Sequence, residues 1–303
     1  MTARLGQLAA LVWVGALLGA DTVTLAPVAD TALFERSPDN NLGATTAVPV
    51  GAVSTATRSR MLLRFDLAGS LPPNAVIQTV SLSFSVTAVN SGAADSTLQL
   101  RRLLVSWGEG AKAGSTGAPA APGEASWNSR FAPATAWSAA GASAPADASP
   151  VISGAIPIAG LGRYTLPSNA NLVSDAQGWL IRPDENFGWL LLSDNEAVAG
   201  TARRVATRED AAQAPGLLVE YIVPPSLPRF DSITREGDQV RLRFQLEAGK
   251  LYAIDYLTAL GTTNWTFLAN AASKFFPTNA VVTDAILPGS NRFYRLAIVA
   301  DID

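Results

Sequence analysis

A chain of 303 residues, 48% of them hydrophobic, can bury two cores, while only 16% charged residues leave Gly, Ala, Ser and Thr to fill the surface. The net charge of −3 gives no long-range field of either sign, so neither nucleic acid nor an anionic membrane surface is implied as a partner. Histidine and cysteine are both absent, which excludes disulfides, Ser–His and Cys–His catalysis, and histidine general bases or metal ligands.

Residues 1–20 read as a secretory signal. Arg4 supplies the base, LAALVWVGALLGA is an apolar run too short to span a bilayer comfortably, and Gly19 and Ala20 place cleavage before Asp21. The alternative is an uncleaved amino-terminal anchor. No second apolar run of spanning length follows, so the mature chain is expected to be secreted or in the cell envelope, without a stable membrane span. An exported protein without disulfides favours bacterial export and large cores.

From Asp21 the chain runs through short strand candidates. TVTLAPVADTALF opens the domain, PDNNLG (38–43) is a turn with Asx-type side chains, and AVPVGA follows. The stretch from Arg58 to Val89 carries the clearest pattern. Met61, Leu63, Phe65 and Leu67 share one face of a strand, with Arg60, Arg64 and Asp66 opposite. Leu62 breaks the alternation and predicts burial on both sides. Beyond Pro72 and Pro73, Val80, Leu82, Phe84 and Val86 alternate with Ser81, Ser83, Ser85 and Thr87. The two strands read as a hairpin-like pair, and Asp66 is expected beside Arg60 or Arg64.

TLQLRRLLV (97–105) is a further strand. Residues 108–150 are rich in Ala, Gly, Pro and Ser, with Trp107 just before them and Trp127, Phe131 and Trp137 as islands. Such a length predicts ordered covering or functional loops, or a partly mobile segment. The period then changes: Leu172, Val173, Ala176, Trp179 and Leu180 lie at helical spacing. A helix is predicted over 169–181, capped by Ser168 or Asn169 and ended by Arg182-Pro183, covering an edge or end of a sandwich. NFGWLLLSD, RRVATRED and GLLVEYIV are the last strands of a domain over 21–222. The Pro-rich segment 223–228 is a linker. Six or seven strands over 229–300 predict a smaller sandwich of immunoglobulin or fibronectin type III architecture. The fold class is all-β: a jelly-roll-type sandwich with one covering helix, then the smaller one.

Taken in order, several segments resemble the DNRLRE family of secreted bacterial β-sandwich domains. They are LFERSPDNNLGATTAVPVG, RSRMLLRFDLAGSLPPNAVIQTVSLSFSV, LLVSWGEG, GEASWNSRF, AWSAAG, VSDAQGWLIRPDENFGWLLLSDNE and ATREDAAQAPGLLVEY. That family is related to carbohydrate-binding modules and disaggregatase-associated domains, and the likeness covers about Asp21 to Tyr221. The literal family string is absent, and the glycine- and aspartate-containing turn after the last loop tryptophan is AAGASAPAD here. WTFLA, VTDAI and RFYRLAIV make the remainder look like a small module appended to such proteins, a likeness of architecture only.

The loop tryptophans are the first binding candidates, because an exposed ring can stack on a sugar face. Trp107, Trp127 and Trp137 would form the platform, with Glu109, Glu124, Asn128 and Arg130 near in sequence to bind hydroxyls of a polysaccharide or cell-surface glycan. Alternatively the rings are lids on the core, as Trp179 and Trp189 are expected to be buried and Trp265, within the sequon Asn264-Trp265-Thr266, to pack in the core. Glu109, Glu124, Asp194 and Glu196 are the loop carboxylates for a glycosidase, which needs two of them about 5–9 Å apart. Tyr164 with Arg163 is the corresponding candidate for a lyase. Neither is a signature, so no catalytic residue is expected. No cofactor is expected apart from a structural calcium ion, with Asp30, Asp39 and Asn41 as candidate ligands beside Asn40, or Asp194, Asn195 and Glu196. Asx turns account for both clusters equally.

Two functions follow: a non-catalytic secreted glycan-binding module, or a structural or adhesive envelope or matrix protein. Exposure of the three loop tryptophans distinguishes them.

Overall fold

The computed structural model describes residues 19–224, 227–261 and 263–302. Apart from Gly19 and Ala20, the expected export signal lies outside the described residues. No described helix is long and apolar enough to cross a membrane. One compact unit ends at Pro224 and the next begins at Pro225, a division that falls inside the Pro-rich segment. Both are built of antiparallel strands.

In chain order the first unit has β1 (Asp21–Leu25), β2 (Pro27–Phe34), β3 (Asn40–Asn41), β4 (Ala47–Ala52), β5 (Arg58–Phe65), β6 (Val76–Val89) and β7 (Ser96–Leu103). The short β8 (Ala118–Pro119), β9 (Ser129–Phe131) and β10 (Thr135–Ala136) follow. Then come β11 (Ala148–Ile158), β12 (Gly162–Leu166), α1 (Ala170–Ile181), β13 (Trp189–Ser193), β14 (Arg203–Ala206) and β15 (Gly216–Ile222). One sheet is organised on β6, which pairs with β15, β12 and β14; β1 lies outside β15, and β4 pairs with β14. The other runs β2–β5–β13–β7–β11. β4 contributes to both, because Gly51 and Ala52 leave β14 and pair with β5. Gly51 makes this corner with φ of 114°, and a Cβ there would meet the Thr201 carbonyl oxygen at 2.8 Å.

β5 and β6 do not pair with each other, which corrects the hairpin-like expectation. The connection through Pro72 and Pro73 carries the chain from one sheet to the other, and the two apolar faces meet across the core. Met61, Leu63 and Phe65 from β5 join Val80, Leu82, Phe84 and Val86 from β6 in one buried cluster, with Leu98, Leu100 and Leu191. Alternation therefore reports the inward face of each strand correctly but says nothing about its partner.

The predicted helix is present. Asn169 caps it by accepting the N–H groups of Asn171 and Leu172, and it buries Leu172, Ala176, Trp179 and Leu180. The Trp179 ring meets that of Trp189 edge-on at 4.5 Å. The helix region also closes part of β6: Gln177 accepts the Ile77 N–H and Ser168 accepts the Val80 N–H. β11 was not evident from sequence. Pro150, Gly154 and Pro157 interrupt it, and its register on β7 shifts twice, so it shows no clean period.

The second unit contains β16 (Phe230–Glu236), β17 (Gln239–Leu246), β18 (Lys250–Leu257), β19 (Thr266–Ser273), β20 (Thr278–Ala285) and β21 (Phe293–Asp301). They form two antiparallel sheets, β16–β17–β20 and β19–β18–β21. Val240, Leu242, Phe244 and Leu246 of β17 pack against Tyr252 and Ile254 of β18. Trp265 is only half-buried, with the Arg295 guanidinium 4.5 Å from its ring centroid, so it lies at the margin and not in the core as expected.

Candidate functional site

The outer face of β5 carries Arg58, Arg60, Leu62 and Arg64, and the loops between β7 and β11 lie over it. Leu62, Leu33, Ala29 and Leu190 project from the sheet into a second buried cluster closed by Trp107, Trp127 and Trp137. The covering segment is held by its own backbone. Gly108 and Ala125 donate to Arg130 and Gly108 carbonyls, Ala132 to Glu124, Gly141 to Trp127, and Leu104 to Asp147. It also ties to the region before β4, since Ala44 donates to Lys112, Ala120 to Asp39 and Asn128 to Pro38.

The three tryptophans are 4%, 3% and 4% exposed. This corrects the expectation of a stacking platform: a ring must offer an open face to a sugar, and these rings face the sheet. The Trp107 Nε1–H donates to the Phe187 carbonyl at 2.8 Å and the Trp137 Nε1–H to that of Ser126 at 2.9 Å. Trp127 lies 5.0 Å from the Arg58 guanidinium and 5.3 Å from that of Arg60, measured to its ring centroid. Gly141, with φ of 87°, sits against its edge, where a Cβ would approach to 2.7 Å. Arg64 lies 5.7 Å from the Trp107 centroid.

Arg60 is 6% exposed and pairs with Glu196 at 2.6 Å, while donating to the Gly141 carbonyl at 2.5 Å. Asp66 has neither Arg60 nor Arg64 as a hydrogen-bonding partner. β5 ends at Phe65, and Asp66 instead accepts the Gly69 N–H at 2.9 Å, within the turn that leaves the strand.

The other polar candidates hold structure together. Glu124 accepts the N–H groups of Ala111 at 3.0 Å and Ala121 at 2.8 Å. Asp194 accepts that of Thr97 at 3.3 Å. Tyr164 donates to the Gly160 carbonyl, and Arg163 donates to Ser83 at 2.7 Å. Asn128 is exposed and donates to Asp39 at 2.8 Å; half-buried Arg130 donates to the Ser106 carbonyl at 3.1 Å. Asn128 is the exposed member of the expected glycan site, while Arg130, Glu109 and Glu124 are half-buried.

The expected calcium set is not assembled. Asn41 is fully buried, and its Oδ1 accepts the Gly43 and Lys112 N–H groups at 3.0 and 3.1 Å. Its Nδ2 donates to the Glu109 and Ala125 carbonyls at 2.6 and 2.9 Å. It is an Asx turn that also fastens the cover. Asp39 accepts from Asn128. Only Asp30 enters an acidic cluster, and its companions are Glu109 and Glu209.

Asp30 sits on β2 with no exposure; its own N–H donates to Glu109 at 2.8 Å, and its Oδ2 accepts the Arg208 N–H at 2.7 Å. Arg208 also binds Glu109 at 2.6 Å and Glu209 at 3.1 Å. Burial pushes the Asp30 carboxyl from 3.8 up to about 8, opposed by the Arg208 N–H and reinforced by the charges of Glu209 and Glu109. The hydrogen bond to Glu109 holds Arg208 above its ordinary value. The strand predicted over RRVATRED stops at Ala206, so Arg208 and Glu209 lie in the turn beyond it, where strand alternation does not signal their partners.

No protein-family model matches this chain, and no curated protein matches it.

Proposed function

We propose that the protein is a non-catalytic structural or adhesive module of an exported cell-envelope or matrix protein. Its first unit is a jelly-roll-type sandwich of the DNRLRE-like kind, and its second is a small immunoglobulin- or fibronectin-like spacer. The burial of Trp107, Trp127 and Trp137 carries the reading. The aromatic surface that would recognise a sugar is turned inward, where it stabilises a loop cover instead of presenting a ligand site. The loop carboxylates accept backbone amides or pair with arginines, which leaves them bracing the fold.

Retention of the purified protein on a panel of soluble and insoluble polysaccharides tests the reading, together with a search for new reducing ends or unsaturated products. Neither retention nor turnover is expected, and the native protein should sediment with the cell-envelope fraction. Retention lost on Asn128→Ala or Arg130→Ala would restore the glycan-binding reading.

A further inference from the structure

β2, the loop cover and the turn after β14 converge on three carboxylates. Asp30, Glu109 and Glu209 each bring one oxygen to within 4.8 Å of the others. A single guanidinium, that of Arg208, pairs with this group, binding Glu109 and Glu209 from a side chain 39% exposed. Ionised, the cluster stays two charges negative after Arg208 is counted, which is the charge a divalent cation neutralises.

Two oxygens are unsatisfied. Asp30 is wholly buried; its Oδ2 takes the Arg208 N–H, but its Oδ1 has no partner. Oε2 of Glu209 is also buried without one, while its Oε1 faces Arg208 at 3.1 Å. An unpaired buried acceptor costs roughly 1–3 kcal/mol, more when charged, so native structures seldom leave two in one cluster. A proton on Asp30 removes one of the negative charges but leaves the Glu109 and Glu209 carboxylates facing one another. A cation satisfies both unpaired oxygens.

We propose that Asp30, Glu109 and Glu209 bind one calcium ion that pins the loop cover and the β14–β15 turn to β2. The donor set is all hard oxygen, which suits calcium or magnesium and disfavours softer metals. Calcium bonds of about 2.3–2.6 Å allow one ion to touch oxygens separated by up to about 5 Å, and its flexible shell accepts water at the remaining positions. Magnesium, with bonds of about 2.0–2.1 Å in strict octahedral geometry, fits this spacing less well. Arg208 remains on the outer side as the partner of Glu109.

The test is calorimetric and thermal, with calcium and magnesium chlorides added to chelator-treated, desalted protein. One calcium per chain is expected, and the unfolding midpoint should rise by roughly 5–10 °C at about a hundred times Kd. Magnesium should bind at least about tenfold more weakly. Asp30→Asn keeps the shape of the buried group and should abolish the calcium response. Should that variant fail to fold, Glu209→Gln at the half-exposed position gives the same reading. The proposal is overturned if no heat and no midpoint shift appear up to about 10 mM calcium. It is equally overturned if both variants bind calcium as the native protein does, or if magnesium binds as tightly.

Discussion

On its inner face β5 presents Met61, Leu63 and Phe65 to the core it shares with β6; on its outer face it presents Arg58, Arg60, Leu62 and Arg64 to the loop cover. The inner face is held by contacts without direction, which tolerate a change of shape as long as volume is kept. The outer face buries charge, so it needs particular partners at particular positions. Arg60 needs Glu196, the Gly141 carbonyl and the Trp127 ring together, because a buried guanidinium without partners costs several kcal/mol. A face that would be solvated on an ordinary antiparallel sheet has become an interior with its own rules.

The largest effect should come from Trp127→Ala, which removes the ring packed near two arginines and opens the cover. A loss of about 3–5 kcal/mol is expected in urea unfolding. A loss under about 1 kcal/mol would mean the cover is not a core. Glu196→Leu should cost about 3 kcal/mol by stranding Arg60, and combining it with Arg60→Met should recover most of that loss. That recovery distinguishes a buried pair from a surface one, for which neither change would exceed about 1 kcal/mol. Asn41→Ala should cost about 2 kcal/mol in the same assay, since it leaves buried groups of the cover unpaired.

A pH titration of stability in chelator addresses the Asp30 end of the cover. The folded-state pKa of Asp30 is raised, so its protonated form is favoured in the native protein. Its contribution is therefore fully present below the unfolded value near 3.8 and is lost as pH climbs to about 8. With Glu109, Glu209 and Arg208 retained, Asp30→Asn should flatten that part of the profile. The smallest effect belongs to the second unit, where Phe275 is 73% exposed. Phe275→Ser should move stability by no more than about 0.5 kcal/mol.

The inner half of this architecture was legible in the sequence. Period-two runs in β5 and β6 named the buried residues, and the 3.6-period run named the helix, with Asn169 one of its two candidate caps. Leu62, out of step with its neighbours, did signal burial on both sides of β5. The outer half was not legible, because its contacts join residues remote in sequence. Nothing local to Arg60 signals Trp127 or Glu196, and Asp30, Glu109 and Glu209 share no motif. Strand pairing was lost for the same reason, since alternation fixes a face but not a neighbour. The cover's low-complexity composition concealed its order: Gly, Ala and Pro supply tight turns and close approaches, as at Gly141, and carry little hydrophobic pattern.

Amide hydrogen exchange on the native protein measures the second core most directly. If the cover is an interior, the amides of Gly108, Ala125, Ala132 and Gly141 should exchange only through large-scale opening, within about tenfold of Leu82 and Phe84 in β6. Exchange of those four amides a thousandfold or so faster than β6, with β6 itself protected, would show a mobile loop and contradict it.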